Sequence, residues 1–221
     1  MGVEGIILAN KATQLSSTSP SLQAGDRFLE PRPALLVGYQ FTSRLGLEAR
    51  FQLLPVSTGF AYKRETATSY TGFGANYTSE YFYVPVQAVI QVLGVGHQLG
   101  LSVVAGGGPA WQGAQGSLPI GPNYTSTSTS TNPDGSMSTT SYTQRQVREN
   151  TVFAALEAGL RGTWRITPRF SLDLTVRQLW GLGGSVRDLA LTLSAPGEQA
   201  TATLRTPVRG IATGLGVRYT L

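Results

Sequence analysis

Charged side chains that could act as acids, bases or ion-pair partners fall on one phase of the alternating segments of this chain. They are Glu4, Glu48, Glu157, Asp173, Arg50, Arg161, Arg177 and Arg218. A hydrolase with paired carboxylates needs an open cleft, whereas these acids are interleaved with arginines. Charges removed from water need hydrogen-bonded partners. We therefore predict that the eight residues form a polar core, with a role in ligand binding or gating as the alternative.

Other residue types that carry chemistry are few. His97 is the single histidine, cysteine is absent, and no Gly-x-Ser-x-Gly motif occurs. One histidine without cysteine does not make a metal cluster. The run Gly106-Gly107-Gly108 is followed by Pro109-Ala110, not by the Lys-Ser/Thr pair of a phosphate-binding loop. No catalytic residue, metal or cofactor is predicted.

The elements that position the charges are predicted from strict alternation. Every second residue over 152–166 is apolar or small, and the pattern resumes from Phe170 to Trp180. This is the period of a β-strand. Ten residues at about 3.3 Å each, tilted by about 40°, span roughly 25 Å, the height of the lipid-facing band of an outer-membrane barrel. We predict a transmembrane hairpin with its apolar phase outward and its charged phase inward.

Composition narrows the class of protein further. Only 13% of the 221 residues are charged, against an average of about 25% in soluble domains. The 17 basic and 12 acidic residues are scattered without a basic run, which argues against nucleic-acid binding. The N-terminus lacks the basic and apolar regions of a signal peptide, so we expect an exported chain to be shown here in its mature form.

Alternation predicts eight strands in a single domain over 1–221. They cover 3–10, 34–41, 45–53, 81–92, 99–112, 152–166, 170–180 and 204–221. The third strand is expected to continue past Pro55 to 63, with a change of phase along the way. Long connections (11–32, 64–79, 116–147 and 186–203) alternate with short ones. Within 116–147, which is rich in Ser and Thr, two β-prone arms flank Asn132-Pro133-Asp134-Gly135. This pattern favours a projecting hairpin, with a disordered segment as the alternative.

This alternation of connection lengths predicts an all-β fold, an eight-stranded antiparallel up-and-down transmembrane β-barrel with short periplasmic turns and long extracellular loops. Aromatic residues near strand ends on the outward phase are expected to form the interfacial girdles. They are Trp111, Trp164, Phe170, Trp180 and Tyr219. A barrel of this strand number has a bore that its own side chains fill.

Short motifs resemble the PorT-like outer-membrane β-barrels. They are the Gly-x-x-x-Ala-Asn opening at 5–10, the Tyr-Phe-Tyr-Val-Pro-Val run at 81–86 and the Gly-Gly-Gly-Pro run at 106–109. The resemblance implies an eight-stranded barrel of a Gram-negative outer membrane; most members have no assigned function and a few serve protein secretion. Gly216, Tyr219 and Leu221 resemble a barrel-assembly signal, from which the terminal leucine and Gly214 depart.

The function predicted from these features is that of a non-enzymatic outer-membrane barrel with a filled bore and contacts made by its extracellular loops. Lipid and lipopolysaccharide are the expected partners, with phosphates meeting rim cations. Those cations are Lys63, Arg64, Arg148, Arg205 and Arg209. One alternative is a barrel subunit of a secretion or transport assembly with an envelope protein partner. Another is a soluble lipocalin-like carrier, in which the apolar phase would line a cavity.

Overall fold

The computed structural model describes residues 1–10, 14–24, 31–65, 70–96, 98–113, 123–131 and 134–220. Their regular structure is entirely β. In chain order the strands are β1 (Gly2–Asn10), β2 (Gln14–Ser17), β3 (Leu22–Ala24), β4 (Pro31–Gln40), β5 (Leu45–Glu65), β6 (Tyr70–Tyr83), β7 (Val86–Val95), β8 (Leu99–Gln112), β9 (Asn123–Thr131), β10 (Met137–Glu149), β11 (Val152–Arg165), β12 (Phe170–Ala195) and β13 (Glu198–Tyr219).

An antiparallel ring runs through β1, β4, β5, β7 with its continuation β6, β8, β11, β12 and β13. It closes where β13 pairs with β1, from Gly2 opposite Arg218 to Asn10 opposite Gly210. Closure removes the sheet edges that an open barrel would leave unpaired. The predicted eight-stranded antiparallel barrel is confirmed.

One strand of the ring is interrupted at Val84–Pro85, where a single strand over 81–92 was expected. Proline has no N–H to give to a ladder, and β6 ends and β7 begins on either side of it. The Pro85 carbonyl still accepts a hydrogen bond from Arg50 N at 3.0 Å, and Val84 N donates to the Pro109 carbonyl at 3.1 Å. The ring therefore stays continuous across the break.

The two ends of the barrel differ. At one end, which we call proximal, short connections join β4 to β5, β7 to β8 and β11 to β12. The N-terminal amine of Met1 donates a hydrogen bond to the Tyr219 carbonyl at 2.7 Å, so the first and last strands also meet there. His97, predicted in one of these turns, lies outside the described residues. The other end, called distal, carries the longer segments.

Most of the segments predicted as distal loops at 64–79 and 186–203 are strand instead, so these two predictions are wrong. β5 continues to Glu65 and β6 begins at Tyr70, while β12 and β13 are separated by Pro196 and Gly197 alone. Gly197 has φ +71°, the left-handed conformation that a tight turn uses. The strands of the ring thus rise beyond it as a β-extension.

The β-extension consists of two sheets. One holds β2, β13, β12, β10 and β9, and the other holds β3, β5 and β6. Apolar side chains of both sheets form one buried cluster, in which the Phe60 and Tyr142 rings meet edge to face at 5.2 Å. The predicted projecting hairpin is confirmed as β9 and β10, although 132–133 of its turn lie outside the described residues.

A bulge in β12 marks the junction between barrel and extension. The pairing with β13 jumps from Trp180 opposite Arg209 to Ser185 opposite Pro207. Gly183 and Gly184, inside this bulge, have φ +95° and +89°, which residues with a Cβ rarely adopt. Below the bulge β12 pairs with β11, and above it with β10.

Candidate functional site

The outer face of the barrel is an apolar belt. Its large side chains stay exposed although they are hydrophobic; they include Leu35, Val37, Leu47, Ile90, Leu160, Leu174, Val176 and Leu215. Leu174 is 60% and Leu215 64% exposed, directly opposite each other on β12 and β13. Soluble monomers rarely expose so wide an apolar surface. The lipocalin-like alternative needed this phase to line a cavity, and the orientation contradicts it.

Aromatic side chains border the belt at both ends. At the distal border the Phe82 ring lies 5.9 Å from Phe51 and 6.1 Å from Trp111, and Trp180 is exposed on β12. At the proximal border Phe170 and Tyr219 lie 5.0 Å apart, with Trp164 exposed beside them on β11. The five predicted girdle residues all lie in these two rows.

Inside the barrel, Glu48 on β5 accepts hydrogen bonds from side chains of three other strands. Arg161 on β11 donates from Nη1 to Oε2 at 3.0 Å and from Nη2 to Oε1 at 2.6 Å. Arg218 adds a bond of 2.6 Å to Oε2, and Gln87 one of 2.6 Å to Oε1. Arg161 crosses the bore to reach Glu48, because β5 and β11 are not neighbours in the ring. A two-pronged arginine–carboxylate pair is among the strongest hydrogen-bonded contacts.

A second pair crosses the bore between Arg50 and Glu157. Arg50 donates from Nη2 at 3.0 Å and from Nη1 at 3.3 Å to the two carboxylate oxygens. Its Nη2 also donates to Gln87 Oε1 at 2.7 Å. Gln87 therefore bridges the two pairs, since its amide nitrogen donates to Glu48. Both arginines and both glutamates are at most 3% exposed.

Glu4 on β1 pairs with Arg177 and connects this third ion pair to the other two. Its Oε1 accepts a bond of 3.0 Å from Arg177 Nη2 and another from the Thr175 hydroxyl, and its Oε2 lies 3.6 Å from Arg50 Nε. A Cβ placed on Gly214 would come 2.7 Å from both Glu4 Cδ and Thr175 Oγ1. Glycine at 214 therefore leaves room for the Glu4 carboxylate.

Asp173 completes the set near the proximal end. It forms an ion pair with Arg218 Nη2 at 3.0 Å and accepts a hydrogen bond from the Thr163 hydroxyl at 2.8 Å. The structure thus places all eight predicted residues inside the ring and links them through one network. Each of the four carboxylates forms an ion pair with an arginine. The arrangement closes the bore with cross-links between strands.

Above the charge network the bore is apolar. Ile6, Leu8, Leu54 and Leu179 are buried there in one cluster with the aromatic rings of Tyr81 and Phe153. A cavity of about 10 Å³ lies at the boundary between the two zones, next to Arg177, whose Nε and Nη1 have no hydrogen-bond partner. This volume holds about one water molecule. It offers no space for a larger ligand.

Sequence reasoning missed a further buried cation, Arg187. Its Nη2 donates to Glu149 Oε1 at 2.6 Å and to Ser79 Oγ at 2.6 Å, and the residue is 2% exposed. These contacts hold β12, β10 and β6 together where the extension begins. The alternation along β12 could have identified it as an inward-facing residue, because Arg187 is odd-numbered like the inward-facing residues Asp173 and Arg177.

A hydroxyl–carboxylate contact lies in the extension. Ser19 donates to Glu198 Oε1, and the Tyr62 hydroxyl donates to Glu198 Oε2 at 3.1 Å. Ser19 Oγ also accepts from the backbone N–H of Ser21 at 3.1 Å, and the residue is 6% exposed. The contact fastens the β2–β3 connection to the tip of β13. Among the described residues, no group of three or more His, Cys, Asp or Glu side chains could hold a metal ion.

The predicted rim cations separate into two groups. Arg148, Arg205 and Arg209 are exposed on β10 and β13, close to the distal aromatic row. Lys63 is exposed near the tip of β5, about 20 Å farther out by strand geometry, because β5 continues where a loop was expected. The side chain of Arg64 lies outside the described residues. Placing Lys63 at the rim was therefore wrong.

No family model and no curated protein matches the chain. Solved structures do match it. OprG of Pseudomonas aeruginosa has 9% identity and a TM-score of 0.42 over 100% of this chain and 96% of its own. Ail of Yersinia pestis has 13% identity and a TM-score of 0.34 over 99% of this chain and 97% of its own. The protease OmpT of Escherichia coli has 10% and 0.37 over 100% and 93%.

These solved structures are outer-membrane β-barrel proteins, the general kind expected from the sequence. The narrower resemblance to the PorT-like family stays a prediction. Within the described residues there is no helix of the length and apolarity needed to cross a membrane.

Proposed function

We propose that this chain is an integral barrel of a Gram-negative outer membrane, with a bore sealed by its own side chains and a role carried by its extracellular surface. The single observation that carries the proposal is the inversion of polarity. Leucines and valines cover the outside of the barrel while four arginines and four acids fill its inside. In water this arrangement would expose the apolar belt, whereas in a bilayer both faces meet suitable surroundings.

The sealed bore supports a role other than transport. A conducting barrel needs an aqueous channel, and eight strands leave space only for side chains. Here Arg161–Glu48 and Arg50–Glu157 cross that space as two-pronged pairs. The apolar zone above them adds a second barrier.

The same contacts support a non-enzymatic role. The bore carboxylates are all engaged by arginines, and the buried Ser19 hydroxyl is engaged by Glu198 in fastening a connection. A nucleophile has to reach its substrate. The surface available for specific contacts is therefore the outside of the β-extension.

Reconstitution tests the proposal. The full chain, refolded from urea into phosphatidylcholine vesicles, should become protease-resistant and migrate faster on a gel when unheated than when boiled. In planar bilayers it should give no ionic current. A folded monomer in plain buffer would contradict the membrane assignment, and steady conductance would contradict the sealed bore.

A second candidate is a subunit of a secretion or transport assembly. One observation favours it: among the described residues, the outer edge of β9 pairs with no strand, and β9 lacks the charges and prolines that protect sheet edges. A partner strand could add there. Cross-linking in native membranes, compared with a Thr127→Pro variant, tests this candidate, and capture unaffected by the proline would count against it.

A further inference from the structure

Four arginines lie on the outer face of the sheet formed by β10, β12 and β13, which we call the arginine face. Arg145 and Arg148 are exposed on β10, and Arg205 and Arg209 on β13. Arg148 and Arg205 flank Asp188 of β12 in one cross-strand row. Adjacent strands are about 4.8 Å apart, so the two guanidinium groups can reach one anion between them.

This face has an excess of positive charge. Asp188 is its one acidic residue among the described positions, and its Oδ1 already accepts a bond of 2.5 Å from the Ser185 hydroxyl. Arg148 Nε donates to Asn150 Oδ1 at 3.3 Å. Within the described part of the chain, no carboxylate lies within ion-pair distance of Arg145, Arg148, Arg205 or Arg209. Buried arginines of the bore are all matched by acids, so the unmatched charge is a property of this outer face.

The position of the arginine face relative to the apolar belt is fixed by the ladder. Arg209 lies directly opposite Trp180 of the distal aromatic row, and Ile211, two residues nearer the proximal end, belongs to the belt. Arg205 is one row beyond Pro207. In the proposed orientation the arginines begin at the level where lipid phosphates are found, just outside the acyl chains.

Beyond the arginines the same face carries hydroxyl groups. One row of directly paired residues is Thr125, Thr143, Thr192 and Thr201 across β9, β10, β12 and β13; the next is Thr127, Ser141, Ser194 and Gln199. The four threonines are exposed, and Thr125 and Thr143 are linked by a hydrogen bond of 3.1 Å. The rows contain no charge.

We infer that this face binds lipopolysaccharide, the phosphorylated glycolipid of the outer leaflet. The order of chemistry along the face is apolar belt, arginines and then uncharged hydroxyls. That order matches acyl chains, phosphates and sugars in a single lipid molecule. Charge-assisted bonds from arginine to phosphate supply the strongest contacts, and the threonine rows meet the saccharide. This inference rests on the proposed membrane orientation. It assigns the expected lipopolysaccharide partner to one side of the barrel and to the order of chemical groups along that side.

The test uses full-length protein in neutral phosphatidylcholine nanodiscs, with Trp111 and Trp164 replaced by Phe so that fluorescence reports on Trp180. Titration with bisphosphorylated lipid A should saturate. The variant R148Q/R205Q/R209Q should bind about 100-fold more weakly, since each cation near a charged lipid surface contributes about a factor of five. The matched control R44Q/R165Q/R169Q removes three exposed cations at the proximal end and should bind as the parent does.

A second arm addresses the sugars. The variant T143V/T192V/T201V keeps side-chain shape and removes hydroxyls, so it should bind lipid A normally and core-bearing lipopolysaccharide more weakly. Equal affinity of the arginine variant and its control, or equal affinity for lipid A with and without phosphates, overturns the inference. Protein that enters neutral nanodiscs but shows no such discrimination leaves the proposed function standing; protein that does not enter them overturns the proposed function itself.

Discussion

Arg161 Nη1 and Nη2 lie 3.0 and 2.6 Å from the two oxygens of Glu48, a pair that joins β11 to β5 across the bore. The two residues are 113 positions apart in sequence. Replacing Glu48 by Gln would keep the shape and remove the charge that Arg161 and Arg218 face. Breaking a buried pair by removing one partner costs about 3–5 kcal/mol. We expect the free energy of unfolding in detergent micelles, measured by urea titration with gel-shift readout, to fall by about that amount.

A control for this loss is Glu80→Gln. Glu80 pairs with Arg32 at 2.5 Å, but the side chains are 45% and 28% exposed, and exposed pairs contribute about 0–1 kcal/mol. The double variant E48Q/R161M should lose less than the sum of its single changes, because the two residues interact directly. Strict additivity would show that the pair is not coupled.

Gly214 tests how tightly the network is packed. A Cβ there would lie 2.7 Å from Glu4 Cδ, so Gly214→Ala should displace the carboxylate from Arg177 and lower the unfolding free energy by about 1–3 kcal/mol, as overpacking does. Gly162→Ala is the control, since its Cβ would meet nothing nearer than 4.0 Å. The same urea titration compares them, and equal effects would mean that space at 214 is not limiting.

The apolar belt predicts a dependence on depth. Leu174, 60% exposed near mid-height between Phe170 and Trp180, should tolerate arginine poorly: about 2–4 kcal/mol is lost for a charge at the bilayer midplane. Thr192→Arg places the same side chain on the outer face of β12 in the extension and should cost little. Refolding yield and unfolding free energy in vesicles measure both. A belt that accepted arginine as readily as the extension would not be lipid-facing.

Alkaline pH should weaken the extension through Tyr77. This residue lies on β6 beyond the belt, and burial, followed by contact with Tyr142, raises the pKa of its hydroxyl from 10 to about 12. Because the pKa of this hydroxyl is higher in the folded state than in the unfolded state, Tyr77 stabilises the fold below about pH 10. This contribution to stability disappears as the pH rises to about 12. The unfolding free energy should therefore fall less steeply between pH 10 and 12 in Tyr77→Phe than in the parent. Parallel slopes would contradict the shift.

The barrel could be predicted from the sequence because two constraints coincide there. Alternation separates the two faces of each strand, and a membrane makes the exposed face apolar, so charges such as Glu157 and Arg161 have to lie inside. Short proximal turns then fix which strands are neighbours. The contacts between side chains on strands that are not neighbours could not be predicted. Nothing in the spacing of Glu48 and Arg161 indicates that they meet across the bore.

The extension was missed because its polarity is reversed. On β5 the even-numbered residues face inward along the whole strand, from Glu48 and Arg50 to Leu54 and Phe60. The expected change of phase in this strand was wrong, because the side chains of the inward face change from polar to apolar while the even-numbered residues stay inward. Outside the belt, water favours polar residues on the outer face, such as Thr192 and Thr201. A strand with a polar outer face lacks the apolar alternation expected of a transmembrane strand, so its sequence was interpreted as a loop. Arg187 was not identified for the same reason, because it lies in the segment 186–203, which was predicted as a loop.

β12 and β13 run without a chain break from the proximal end of the barrel to the turn at Pro196–Gly197. A force applied at that turn is carried down two strands that are hydrogen-bonded to each other on both sides of the bulge between Trp180 and Ser185. In the proposed orientation the extension therefore acts as a lever at the cell surface, and a contact made at its tip would load the barrel within the bilayer.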